Sequence, residues 1–445
     1  MLDLRKDKER VKAKIEKRKA TSARRKEMRS ISAICKIEKG KLSTEKRNYL
    51  EALFYEAKIL RNAIVRRAED RTLKLWEWDY KTTTIYRRVP ASLSIKTRKP
   101  ATWMLEPVEL VHLSADMRIA ILDELKNNIK GLAAAKRKGR RVGRLKYQKI
   151  ADSIPIRGNS IHTNTNRWMT KTEDRGWIKI SDGNHIKIKG IPWKFKVRGI
   201  KQIQNGAEIR DAKLVRKADG YFIHISTSVP YDTTLPGNGL TVGIDMGIKH
   251  HITTSDGIKY KAVIDESTRL KRLQRAFSRT EKHSRNHRKI QAKIRRAYQR
   301  MVYKRDEEAH KVVNELLRTY DRIAIQNENI TGWRKLFGSS IQGTILGRVK
   351  ARIVALEKRD RAVVIDRKYP TTKRCHECGR KVVLSLTERT FTCSCGYSED
   401  RDIKAAKTIR ALATGDIIWN IESKRKPKQA SANHKLPSKP GEVSA

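Results

Sequence analysis

The stretch that most limits what this chain can fold into runs Thr241-Val242-Gly243-Ile244-Asp245-Met246-Gly247-Ile248-Lys249. It places a carboxylate at the end of an otherwise apolar strand and follows it with glycine. Residues 248–254 and 258–264, either side of Asp256-Gly257, read as two more strands folded back through glycine-bearing turns. A second β-prone run, 323–330, contains Glu328, and Asp402 stands at the head of a helix with an apolar stripe over 403–412. Acids at strand ends and helix starts are common as caps and solvated edges. Asp245 and Glu328, however, each interrupt an apolar run, where an acid is costly without a cation or a partner.

A carboxylate on a central strand beside a meander suggests a ribonuclease-H-like core. Hard cations such as Mg²⁺ keep part of their water shell and take carboxylate oxygens, so three converging acids would suit a pair of such ions. Spacing leaves open whether the three acids meet.

Of five cysteines, Cys35 lies alone in an apolar strand-like stretch and reads as a small buried hydrophobe. The others form Cys375-x-x-Cys378 and Cys393-x-Cys395-Gly396, two knuckles separated by an insert the size of a β-hairpin. With no export signal, clustered thiols read as metal ligands rather than disulfides, and the pattern predicts structural, tetrahedral zinc. The second pair is one residue tighter than the usual Cys-x-x-Cys, which predicts a strained knuckle or weaker zinc. His376 reads as a surface residue, and His283, His287 and His310 lack metal spacing.

The formal charge is +54, and 34% of residues are charged. Such an excess repels itself in a compact state unless offset, and polyanionic nucleic acid is the natural counter-ligand. No run of 18 apolar residues, signal peptide or lipidation signal points to a membrane, so a soluble, cytoplasmic protein is expected. The charge is densest at Lys136, Arg137, Lys138, Arg140, Arg141, Arg144 and Lys146, with glycines between, and along a helical stretch over 267–320 that includes Arg285, Arg288 and Lys289. These are the candidate nucleic-acid contacts, which neutralise phosphates and make binding salt-dependent.

Taken in order, residues 1–28 read as a basic arm. A β-like stretch over 30–39 precedes a helix capped by Ser43 or Thr44, with Leu50, Leu53, Phe54, Ala57, Leu60 and Ile64 on one side. Residues 66–100 give no clear pattern, and a second helix is predicted over 114–135. From Trp177 to Val229 the period is two, with Ile178, Ile180, Ile186, Ile188, Phe195 and Val197 inside and lysines outside, an antiparallel sheet. Tyr221, Phe222, Trp177 and Trp193 could stack on bases, but most are expected in the core. Pro236-Gly237-Asn238-Gly239 reads as a hinge. The stretch over 267–320 should break near Ser284-Arg285-Asn286. A loop follows Glu328, then a helix over 341–359 and a strand over 362–365. Disorder is expected beyond about 424.

Four motifs together resemble TnpB, the transposon-encoded RNA-guided nucleases, and the related compact type V CRISPR effectors. They are Gly243-Ile244-Asp245-Met246-Gly247, Glu328-Asn329-Ile330, the cysteine group, and Asp400-Arg401-Asp402-x-x-Ala405-Ala406. The resemblance implies a RuvC triad of Asp245, Glu328 and Asp402, with Asp400 a neighbour. Lys404 and Thr408 stand where the family usually has asparagines.

The implied fold is multidomain α+β, an RNase H-like (RuvC) α/β core with an inserted zinc hairpin, an antiparallel β-barrel (wedge) domain and a helical recognition domain. Its segments are a basic arm 1–28, a first wedge strand 29–41, the recognition domain 42–150, the rest of the wedge 151–235, RuvC 236–372, the zinc insert 373–398, the last RuvC helix 399–412 and a tail 413–445. The implied activity is RNA-guided, Mg²⁺-dependent cleavage of complementary double-stranded DNA beside a short motif, with two catalytic Mg²⁺ ions, structural Zn²⁺ and a guide RNA. The partners are then guide RNA, target DNA and the RNA–DNA heteroduplex, with no membrane, and the state is open between monomer and homodimer. The alternatives are a nuclease-inactive RNA-guided repressor and a guide-independent, structure-selective RuvC-type nuclease.

Overall fold

The computed structural model of the chain describes residues 28–69, 82–93, 100–162, 178–181, 184–204, 207–230, 238–264, 268–385 and 388–419, with a few positions between 16 and 24. The expectations for the basic arm before residue 28, Trp177, Pro236-Gly237 and the tail after 419 lie outside the described residues. The chain divides into two compact units, Met1–Leu235 and Pro236–Ala445.

The first unit holds β1 (Met28–Ile37), α1 (Thr44–Glu69), the hairpin β2 (Thr84–Leu93) and β3 (Pro100–Glu109), α2 (Ala115–Arg137), β4 (Ser153–His162), β5 (Ile178–Ser181), β6 (His185–Ile188), β7 (Lys194–Arg198), β8 (Glu208–Lys217) and β9 (Gly220–Pro230). Seven strands form one antiparallel sheet in the order β4-β8-β9-β1-β7-β6-β5. The early strand β1 thus inserts between strands that arrive much later in the chain, as Ile34 opposite His224 illustrates. Among the described residues this is an antiparallel sheet with β4 and β5 at its ends.

Alternation sets its faces. Ile178, Ile180, Ile186, Ile188, Phe195 and Val197 are buried, and the lysines between them face outward. The buried stripe of α1 and that of α2 join the same core, as do Cys35 and Tyr221, and Phe222 is buried as well. Ser43 caps α1 through the Lys46 N–H, and Ser114 caps α2 through Met117. The unassigned stretch around 66–100 contains β2 and the start of β3; their partners are each other, so alternation against a shared core is weak.

The second unit holds β10 (Thr241–Asp245), β11 (Ile252–Thr254), β12 (Lys259–Tyr260), α3 (Thr268–Ser278), α4 (Arg285–Thr319), β13 (Arg322–Gln326), α5 (Ile330–Phe337), α6 (Ser339–Gln342), α7 (Leu346–Leu356), β14 (Ala362–Ile365), β15 (Thr390–Thr392), β16 (Ser398–Asp400) and α8 (Arg401–Thr414). Its five-stranded sheet runs β12-β11-β10-β13-β14, antiparallel from β12 to β10 and parallel from β10 to β14. Ser284 caps α4 and fixes the predicted break from α3.

Three readings need correction. The meander strands are shorter than 248–254 and 258–264. The loop after Glu328 opens with the short helix α5, capped by Asn329, and the following long helix starts at Leu346 rather than 341. Helix α8 lies hard against β10 at Gly243, where a Cβ would stand 2.0 Å from the Ala406 carbonyl oxygen. The first motif glycine is therefore a packing requirement.

Candidate active site and metal centre

Asp245 closes β10, and Glu328 follows the end of its parallel neighbour β13 by two residues. Both carboxylates thus leave the same edge of the sheet. Asp402 is the second residue of α8, the helix that packs on β10. The neighbour Asp400 caps that helix instead. Its Oδ1 accepts from the Asp402 N–H at 2.9 Å and the Ile403 N–H at 3.2 Å, and its Oδ2 from Lys259 Nζ at 2.7 Å. Burial pushes Asp400 up, but these donors more than offset it and hold its carboxyl below the usual range. The cap is engaged, while Asp402 is left for other work.

Asp245 feels the other two acids. Burial first, then the charges of Asp402 and Glu328, push Asp245 up to about 8, against the pull of Arg401 and the Met246 N–H. Burial raises Glu328 as well, opposed by Lys350 and Arg367. Lys350 Nζ donates to Asn327 Oδ1 at 2.7 Å and to the Glu328 carbonyl at 2.5 Å, and Arg401 Nε lies 3.6 Å from Asp402 Oδ1. Buried carboxylates such as Asp245 and Glu328, which are costly to ionise without a counter-charge, suit hard divalent ions. The cations Lys350, Arg367 and Arg401 were not legible in sequence, because their relation to the acids is made by the fold rather than by spacing.

Among the described residues, only the four cysteines bring at least three ligating atoms within 4.8 Å of one another. Across the knuckles, Cys378 Sγ and Cys393 Sγ are 3.5 Å apart and Cys375 Sγ and Cys395 Sγ 3.8 Å. Four sulfurs about 2.3 Å from a tetrahedral zinc lie about 3.8 Å apart, so the donor set fits that ion. The tighter second knuckle still gathers its sulfurs. Both knuckles turn on a left-handed glycine, Gly379 at φ 73° and Gly396 at φ 90°, whose N–H returns to the carbonyl of Cys375 or Cys393. His376 is better covered than expected and packs edge-on against Tyr397. His287 stacks on Phe277, consistent with a packing role.

Of the candidate nucleic-acid contacts, the side chains of Lys136, Arg137, Lys138, Arg140, Arg141, Arg144 and Lys146 are all exposed, as are those of Arg285, Arg288 and Lys289. The described aromatics Tyr221 and Phe222 are buried and Trp193 packs against the core, as expected for most of that group. No helix among the described residues is long and apolar enough to cross a membrane.

Comparison with known proteins adds the following. Residues 224–335 match a family model described as a probable transposase (OrfB_IS605), and residues 353–409 match the Cas12f1-like TNB domain. A protein of Streptomyces pristinaespiralis named "Putative RNA-guided DNA endonuclease" is 31% identical over 240 residues, covering 50% of this chain and 58% of that protein. InsQ of Escherichia coli K12, which carries the same description, is 24% identical over 271 residues, covering 54% of this chain and 66% of its own length. A TnpB-like protein of Acanthamoeba polyphaga mimivirus is 29% identical over 150 residues, covering 31% of this chain and 28% of its own. The chain therefore spans less than two thirds of the length of each of these relatives. Among solved structures, the Cas12f1–sgRNA–target DNA complex aligns at a TM-score of 0.47 with 13% identity, covering 83% of each chain, and CasPhi-2 bound to crRNA and DNA at 0.40 with 9%, covering 86% and 91%. By sequence, the chain is similar to RNA-guided DNA endonucleases and TnpB-like proteins and, over 353–409, to the Cas12f1-like TNB domain.

Proposed function

We propose that this chain is an RNA-guided DNA endonuclease whose single active site is formed by Asp245, Glu328 and Asp402 on a ribonuclease-H-like, RuvC-type core. The observation that carries the reading is placement: Asp245 ends β10, Glu328 follows the end of the adjacent parallel strand β13, and Asp402 heads the helix packed on β10, so that the charges of Asp402 and Glu328 both bear on Asp245. The sheet order supports it, with an antiparallel meander on one side of β10 and parallel strands on the other. The names of the relatives supply the guide and the DNA substrate.

In this reading Asp245, Glu328 and Asp402 would hold two Mg²⁺ ions. Bound there, the ions would lower the pKa of a water and stabilise the leaving 3′-oxygen. Asp400 fixes the head of α8, and with it Asp402. Lys350 fixes the Glu328 main chain, and Arg401 sets the orientation of the Asp402 carboxylate. The cysteine centre would hold structural Zn²⁺. The exposed cations around 136–146 and 285–289 would meet the phosphates of guide RNA and RNA–DNA heteroduplex.

The test is to sequence the RNA that copurifies with the protein, then incubate the complex with Mg²⁺ and matched duplex DNA beside an Asp245→Ala control. Guide-directed cleavage that vanishes in the control is the expected result. A discrete RNA with tight DNA binding and no cutting would identify a repressor, and cutting of branched DNA without any discrete RNA would identify a guide-independent nuclease.

A further inference from the structure

Lys404 is fully buried, with no exposed side-chain surface, on the face of α8 that turns toward the cysteine centre. Its ammonium donates to the carbonyls of Thr371 at 2.8 Å, Thr372 at 3.3 Å and Arg374, and stands 4.1 Å from the centroid of the Phe391 ring. The three carbonyls belong to the strap that leads into Cys375, and Phe391 shares a small core with Cys375 and Cys393.

The same strap is gripped from the other side. Gln326, at the end of β13 and two residues before Glu328, donates to the carbonyls of Asp366 at 3.2 Å and Tyr369 at 2.7 Å and accepts from the Thr371 hydroxyl at 2.8 Å. Residues 366–374 are therefore clamped between the end of β13, two residues before Glu328, and the helix that carries Asp402.

A buried ammonium is costly unless it is fully hydrogen-bonded and offset by opposite charge. Three carbonyls and an aromatic face satisfy its donors, and four thiolates around one dication leave a net negative charge beside it. We propose that Lys404 is a positioning residue that serves as the buried counter-cation of the cysteine centre and couples metal binding there to the placement of Asp402. The proposal rests on the metal readings of both centres given above.

The experiment compares the wild-type chain with Lys404→Met, which keeps the stem and removes the charge, and with Ile409→Ala, which removes buried apolar volume from the same helix. The first readout is zinc content, followed by the rate of zinc transfer to a colorimetric chelator at a temperature where circular dichroism finds all three folded. The second is the Mg²⁺ concentration for half-maximal cleavage by the guide-loaded complex. Loss of a group that supports metal ligands from behind typically costs 10–100-fold. Lys404→Met is expected to release zinc at least about tenfold faster and to need at least about tenfold more Mg²⁺. Ile409→Ala should melt earlier but match the wild type in both readouts.

Equal zinc release by Lys404→Met and the wild type would overturn the proposal. So would equal acceleration by Ile409→Ala, which would reduce the effect to helix stability, or faster zinc release with unchanged Mg²⁺ demand, which would remove the coupling. A wild-type chain without zinc would instead refute the reading of the cysteines, and a zinc-loaded wild type that never cleaves would refute the nuclease reading. Both are seen before any variant is compared.

Discussion

Replacing Asp245 by Asn should make the metal-free protein more stable while abolishing cleavage. The carboxyl is raised from 3.8 to about 8 by burial and by the charges of Asp402 and Glu328. At pH 7 the folded chain therefore holds this carboxyl largely protonated, at a cost that the unfolded chain does not carry. About three pH units of mismatch at 1.36 kcal/mol each give an upper bound of about 4 kcal/mol. Asp245 is only half-buried by its exposed surface, and relaxation there leaves about 1–3 kcal/mol.

The sign follows from linkage. A carboxyl whose folded pKa is raised favours the folded state at low pH, and that advantage is lost as pH rises from 3.8 through about 8. The gap between Asp245→Asn and the wild type should thus widen from pH 5 to pH 8. For a unit of this size, it should reach about 2–10 °C in Tm. The assay is scanning calorimetry on zinc-loaded protein in buffer without Mg²⁺ and without chelator, which would strip the cysteine centre. Added Mg²⁺ should then raise the wild-type Tm and not that of the variant, closing the gap. A variant that melts at or below the wild type at pH 8, or a gap that does not change with pH, would refute the reasoning.

Gly243→Ala drives a Cβ into the Ala406 carbonyl and the Arg410 amide, so it should destabilise by at least about 3 kcal/mol in urea unfolding and displace Asp402. Gly131→Ala, in α2 with open space around it, should instead gain about 0.5–1 kcal/mol, and a loss there would contradict the packing account. Cys378→Ser should drop the bound zinc measured by plasma mass spectrometry and lower the melting temperature, because the remaining sulfurs no longer close a tetrahedron. Replacing Arg288 and Lys289 by Gln should weaken RNA binding and lower the slope of log K against log salt by about 1 for each phosphate left without its cation, whereas an unchanged slope would place the nucleic acid elsewhere.

The sequence determined what local pattern can determine. Alternation over 178–197 fixed which residues enter the core, and the spacing of apolar residues fixed the buried faces of α1 and α2. The cap at Ser284 marked the break in the long basic helical stretch. The knuckle spacing marked the cysteines, because four ligands within two short turns are a local constraint. The three acids could be nominated on their own segments, but the action of Asp402 and Glu328 on Asp245 could not. That required β13 to lie parallel to β10 and α8 to dock on Gly243, pairings between segments far apart in the chain. The tertiary structure alone decided the roles of Gln326, Lys350 and Lys404. A departure at Lys404 was visible as a letter, but a long side chain acquires its meaning from what lies at the end of its reach, and the carbonyls of Thr371, Thr372 and Arg374 are brought there only by the fold.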